Sequence, residues 1–217
     1  MTVTHHPHDE LLLDYASGAL GEAWSLAIAT HLALCPRCRR TVARMESLAG
    51  DVFEDIKPEP VATGMLAAVL DRLEDPSTVS APTVKNTDAE VPTLPQPLRR
   101  YVGGDVDGLH WQRLGLGAYQ LLIPMEGDVT ARLLRIPAGK PVPEHSHGGL
   151  ELTLVLAGAF SDDSGTYGRG DLQVADETVE HQPHAAPGED CICLAITDSP
   201  LRFKSLAARM VQPILGI

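Results

Sequence analysis

Two short stretches carry the residue types from which metal centres are built. "HLALCPRC", His31 to Cys38, sets a histidine four residues before one cysteine and a second cysteine three residues later. On a helix, positions four apart share a face and positions three apart nearly do, so His31, Cys35 and Cys38 can converge near a helix–helix turn. Zinc in a structural role takes four nitrogen or sulfur ligands in a tetrahedron. The fourth must come from elsewhere, and "HHPH" near the start offers His5, His6 and His8. A CxxC pair also serves redox chemistry, but redox pairs of that kind follow a strand, and no strand is expected before Cys35.

The second stretch is "EHSHGGLELTLVLAG", Glu144 to Gly158. In a strand alternate side chains face one way, so His145, His147 and Glu151 share a side. Two imidazoles and a carboxylate make most of a site for a divalent transition metal. A further ligand must cross from another strand, and "ETVEHQPH" offers His181, with His184 the lesser option. Cys191 and Cys193 also alternate onto one strand face. Exposed thiolates in such a pair would be open to oxidation, but small buried core residues are the commoner use of free cysteine.

The elements that must hold these residues differ along the chain. "DELLLDYASGAL" opens with an acidic turn and stops at Gly18. "GEAWSLAIATHLALC" places Trp24, Ile28, His31, Leu32 and Cys35 at helical spacing. Pro36 fits the first turn of a third helix running to about Leu48. "PVATGMLAAVLDRLED" predicts a fourth helix over 61–74 with an apolar stripe of Val61, Met65, Val69 and Leu73. Residues 76–97 hold five prolines and no periodic apolar face, which predicts an extended linker. Beyond it, "TARLLRIPAG", "LELTLVLAGAFSD", "GTYGRGDLQVAD" and "DCICLAITD" are short apolar runs bounded by Gly, Pro or Asp, the pattern of an antiparallel β-sandwich or small barrel. The expected architecture is therefore multidomain: a small four-helix domain over 1–75, a flexible linker over 76–97, and an all-β domain over 98–217.

Charge narrows the partners. The 217 residues carry a net charge of −12, and Lys and Arg are outnumbered by Asp and Glu in both the helical and the β portions. Neither half has the basic footprint that phosphate neutralisation requires, so direct nucleic-acid binding is not expected. No apolar run nears the roughly 20 residues of a membrane helix, and "MTVTHHPHDE" has no secretory pattern. A cytoplasmic protein is the expectation, in a compartment where cysteines stay reduced.

The H-x3-C-x2-C spacing within a short four-helix segment resembles the zinc-binding anti-sigma domain, which captures extracytoplasmic-function (ECF) sigma factors and blocks their access to core RNA polymerase. The resemblance implies zinc held by His6, His31, Cys35 and Cys38. It also implies helices that clasp the sigma factor, with Val61, Met65, Val69 and Leu73 as candidate contacts. The order Gly139, His145, His147, Glu151, Gly158 is similar to the first cupin motif at each fixed position. The second cupin motif is looser: Gly170, Asp171 and His181 are kept, but the usual proline of that turn is absent.

A zinc anti-sigma domain fused to a cupin resembles the ChrR-type anti-sigma factors, whose sigma partners govern responses to singlet oxygen and related oxidants. That likeness implies a second zinc at His145, His147, Glu151 and His181. It also implies a one-to-one complex with an ECF sigma factor, released on an oxidative signal received by the cupin, and no enzymatic activity. The alternative is a metal-dependent cupin dioxygenase with a zinc-bearing helical appendage, its three histidines and glutamate holding a redox metal.

Overall fold

The computed structural model describes residues 2–74, 91–115 and 117–205. They divide into two compact units. One joins the residues up to Glu46 with those from Pro92 onward, and the other spans Ser47–Val91.

The first unit opens with α1 (Asp9–Ala16), whose Asp9 and Glu10 face the positive end of the helix dipole. Next come α2 (Glu22–Leu34) and α3 (Pro36–Glu54), with Cys35 as the single extended residue between them. Proline at the head of α3 forfeits only an amide that has no helical partner. Helix α3 runs six residues past the expected end at Leu48. In α2, Ala23, Leu26, Ala27, Ile28, Thr30, His31 and Leu32 are all buried, more than one face's worth. The reason is that α2 has neighbours on several sides: α1, a short helix α5 (Gln96–Val102), and two strands of the β half.

Helix α5 is a correction to the expected linker. Residues 75–90 lie outside the described residues, but the stretch to 97 is not extended throughout: Gln96 and Pro97 already form the first turn of α5. Leu94 and Leu98 are buried in the same core as Leu26 and Ile28. Proline in a first turn is tolerated, so a proline-rich stretch can still start a helix.

The β half is antiparallel. Strands β1 (Gln112–Gly115), β2 (Ala118–Ile123), β3 (Thr130–Ile136), β5 (Glu151–Ala157), β8 (Leu172–Ala175) and β11 (Cys191–Thr197) form one sheet in the order β1-β2-β3-β11-β5-β8. β11 is buried along its whole length, which is why it reads as an unbroken apolar run rather than an alternating one. A second sheet has the order β10-β6-β7, from β6 (Ala159–Asp162), β7 (Gly165–Gly168) and β10 (His184–Ala185). A third has the order β12-β4-β9, from β4 (His145–Ser146), β9 (Glu180–His181) and β12 (Arg202–Phe203).

The second unit holds the end of α3 and helix α4 (Met65–Glu74). Every residue from Ser47 to Leu73 is exposed. Val61 stands outside the helix expected over 61–74, because Gly64 turns the chain at φ +87°, a conformation that L side chains rarely adopt, and α4 starts only at Met65. Among the described residues no helix is long and apolar enough to cross a membrane.

Candidate metal centres

The structure brings one ligand atom each from His6, His31, Cys35 and Cys38 within 4.8 Å of one another. His31 comes from the last turn of α2, Cys35 from the junction, Cys38 from the first turn of α3, and His6 from the chain before α1. His6 Nδ1 stands 3.4 Å from both Cys35 Sγ and Cys38 Sγ. A tetrahedral metal with zinc's bond lengths spaces nitrogen and sulfur ligands roughly 3.6 Å apart, close to what is seen.

His31 supplies the sharper test. Its Nδ1–H donates to Gly170 O at 2.9 Å, which leaves Nε2 as a bare acceptor. Nε2 is buried and has no hydrogen-bond partner. Burying a polar atom unpaired costs free energy, and a cation beside the two sulfurs would remove that cost. Burial pulls His31 down to about 4, and burial followed by the neighbouring Cys35 pushes the Cys38 thiol up to about 12. The Cys38 thiol must therefore give up its proton when a metal binds. Of the other histidines near the start, His5 packs against Tyr167 with ring centroids 4.3 Å apart and planes tilted by 39°, and His8 is exposed.

In the β half the cluster is His145, His147 and His181. Nε2 of His181 lies 3.2 Å from Nε2 of His145 and 3.2 Å from Nε2 of His147. His145 donates Nδ1–H to Pro143 O at 2.8 Å, and His181 donates Nδ1–H to Asp162 Oδ2 at 2.6 Å. Both Nε2 atoms are therefore bare, and two bare nitrogens at that distance repel unless a cation lies between them. Nitrogen ligands on a tetrahedral metal sit roughly 3.3 Å apart, so the trio fits.

A single strand does not carry these residues as the alternation argument expected. His145 is in β4, His147 lies past its end, and Glu151 is the first residue of β5, beyond the Gly148-Gly149 turn. β4 pairs His145 directly with His181 of β9. Glu151 sits against His147 on the ring's other side, with Oε2 3.5 Å from Nδ1, while Oε1 accepts from Thr153 Oγ1 at 2.8 Å. Burial alone would raise the Glu151 carboxyl, but His147, His145 and Thr153 outweigh it and hold it below the usual range. His184 is exposed.

A cavity of about 1100 Å³ opens over this cluster, and His145, His181, Glu151, Leu134, Phe160 and Phe203 are among its walls. Cys191 and Cys193 line it too, and both are buried. The Cys193 thiol is raised well above its ordinary value by its contact with Cys191 and then by burial, so it is no ready nucleophile.

Sequence reasoning passed over Asp162, the carboxylate behind His181, because spacing rules look for ligands and not for the groups that orient them. The Asp162-Asp163 pair in "AFSDDSG" gives no periodic signal and reads as a turn.

Residues 100–199 match the family model described as the ChrR cupin-like domain. The whole chain is 45% identical over 217 residues to the anti-sigma-E factor ChrR of Cereibacter sphaeroides, covering 100% of both sequences. The chain belongs to the ChrR family of anti-sigma factors. The crystal structure of Rhodobacter sphaeroides SigE in complex with the anti-sigma ChrR matches it with a TM-score of 0.77 at 44% identity, over 91% of this chain and 100% of that one. As a ChrR-family protein it is a regulator and not an enzyme, which overturns the dioxygenase alternative. Its helical segment and its cupin-like domain each carry one of the two clusters.

Proposed function

We propose that the protein captures an ECF-type sigma factor in a one-to-one complex, keeps it from core RNA polymerase, and releases it on an oxidative signal received by the cupin domain. The carrying observation is a set of apolar side chains left in water. Val61, Met65, Leu66, Val69, Leu70 and Leu73 are each at least 48% exposed. All but Val61 lie on α4, and exposed apolar side chains on a helix fit helix-in-groove recognition of a partner. The SigE–ChrR complex of the similar structure supplies the class of partner. Six acidic and two basic residues between Ser47 and Glu74 favour a basic surface on that partner.

We assign zinc to both centres. His6, His31, Cys35 and Cys38 offer the mixed sulfur and nitrogen set that zinc takes in structural sites. His145, His147 and His181, with Glu151 beside them, form the second. Residues 1–75 are assigned to capture and 98–217 to sensing, with the linker ending before Leu94, which is already buried in the core. The absence of a membrane-crossing helix among the described residues, together with free thiols, supports a cytoplasmic location. Oxidation within the ligand set His145, His147 and Glu151, with the oxidant consumed at an imidazole ring, is the assigned trigger.

Co-expression with candidate ECF sigma factors, followed by pull-down and sizing, tests capture. The full chain and residues 1–85 should both form a one-to-one complex, and only the full chain should let go under oxidant. Failure to retain any sigma factor would refute capture. Normal oxidant release by variants lacking His145, His147 and Glu151 would refute the trigger.

A further inference from the structure

The turn between β7 and β8, Gly168–Asp171, belongs to the cupin domain, yet it touches both histidines of the helical centre or the residues that carry them. Gly170 accepts the Nδ1–H of His31 on its carbonyl at 2.9 Å. Asp171 Oδ1 accepts the backbone N–H of Thr4 at 2.6 Å and of His5 at 2.8 Å, and the Thr4 hydroxyl at 3.2 Å. The same carboxylate's Oδ2 accepts the Gly168 N–H at 2.9 Å, which ties the clamp to its own turn. Leu172 N–H then donates to His5 O at 3.2 Å, so residue 5 is held on both sides of its peptide. His6 is the next residue.

The fit leaves no slack. Gly170 has φ +92°, and a Cβ there would lie 2.7 Å from Val3 Cγ2 and 3.4 Å from Leu34 Cβ. Asp171 is only 5% exposed, so its hydrogen bonds to residues 4 and 5 are shielded from competing water. The turn is also joined to the other centre. Tyr167, under the His5 ring, has its hydroxyl 3.0 Å from Ser164 Oγ, and Ser164 donates to Asp162, the carboxylate behind His181.

We propose that this turn is the outer shell of the helical metal centre: Asp171 positions His6 by clamping the two residues before it, Gly170 positions the ring of His31, and the cupin domain thereby sets the metal affinity of the sigma-binding half. The proposal rests on the reading of the helical cluster as a metal site. Asp171 is a positioning residue and touches no metal itself. Groups in this role change metal affinity by about 10- to 100-fold when lost. A signal that moves the turn by a fraction of an ångström would reach His6 and His31 without any contact between the two metals.

The test is cobalt binding by the full-length protein. Thiolate-to-cobalt absorption reports the helical centre alone, because His145, His147, His181 and Glu151 offer nitrogen and oxygen but no sulfur. The Asp171→Asn variant has one acceptor oxygen where two are used, so an amide N–H must face either the amides of residues 4 and 5 or the Gly168 N–H that ties the clamp to its turn. It should bind cobalt at the thiolate centre about tenfold more weakly or worse, with faster hydrogen exchange at amides 4 and 5. Unchanged cobalt affinity would overturn the proposal. If Asp171→Asn does not fold, Thr4→Val removes the hydroxyl donor from outside the barrel and should weaken cobalt binding about threefold, and no change there also overturns it. A wild-type protein with no thiolate–cobalt band would instead sink the metal reading itself, and the proposal with it.

Discussion

Asp162 and His181 face each other at 2.6 Å, carboxylate Oδ2 against ring Nδ1. Burial alone would raise the Asp162 carboxyl, but hydrogen bonds from Ser164, Gln173 and His181 overrule it and hold it at about 2. The group is ionised throughout the physiological range. An ionised carboxylate behind an imidazole fixes the tautomer and makes the far nitrogen a better metal ligand.

Replacing that carboxylate should therefore weaken the cupin centre selectively. Asp162→Asn is expected to lower metal affinity at the histidine cluster by about 10- to 100-fold while leaving the thiolate centre unchanged. Competition against a chromogenic chelator measures it. Wild-type affinity in the variant would deny Asp162 this role.

The thiolate centre should respond to loss of a ligand in the opposite pattern. Cys35→Ser replaces a soft sulfur with a hydroxyl, and the purified protein should carry about one zinc equivalent in place of two, with sigma capture abolished. Elemental analysis alongside pull-down decides this. Retention of both zincs would remove Cys35 from the ligand set.

Exposed side chains on α4 predict a split between binding and folding. Val69→Glu or Leu73→Glu should cost about 2 kcal/mol of sigma affinity, roughly 30-fold. Both side chains are at least 50% exposed, so the thermal midpoint should barely move. Calorimetric titration with the sigma factor and a melting curve give the two numbers. Equal affinity with wild type would move the contact elsewhere.

Acid should destabilise the metal-free chain through His31. Burial holds His31 at about 4 in the folded state, against about 6.5 when free. Above pH 6.5 the ring is neutral in both states and nothing is lost. As pH falls from 6.5 towards 4, the unfolded chain gains a proton that the folded chain refuses, and stability drops by about 3 kcal/mol before levelling off. Urea unfolding of the metal-free protein at pH 7, 5.5 and 4 tests this, with His31→Gln expected to flatten the slope. A wild-type slope no steeper than that of the variant would contradict it.

Much of this was legible because ligand spacing and element period coincide. His31, Cys35 and Cys38 sit at helical intervals across one junction, and the buried strands β5 and β11 are plain apolar runs. What escaped was set by long-range contact or by single residues that override a pattern. Gly64 removed Val61 from a helix whose apolar period included it. Gln96 and Pro97 began a helix in a stretch that reads as linker, since burial of Leu98 against α2 outweighs local composition. His181 crosses from another strand as expected, but the two-residue strands β4 and β9 that pair it directly with His145 are too short to show a period. The bond from Thr4 to Asp171 spans 167 residues between an irregular segment and a turn, and no periodicity encodes it.

That last span also bears on biosynthesis. An N-terminal latch that fastens onto residues 171 and 172 stays open on the ribosome until most of the polypeptide has emerged. His6 and His31 would then receive their final support late in translation, after the capture helices have been made. A sigma factor translated nearby would meet a nascent inhibitor whose helices precede the support for its metal.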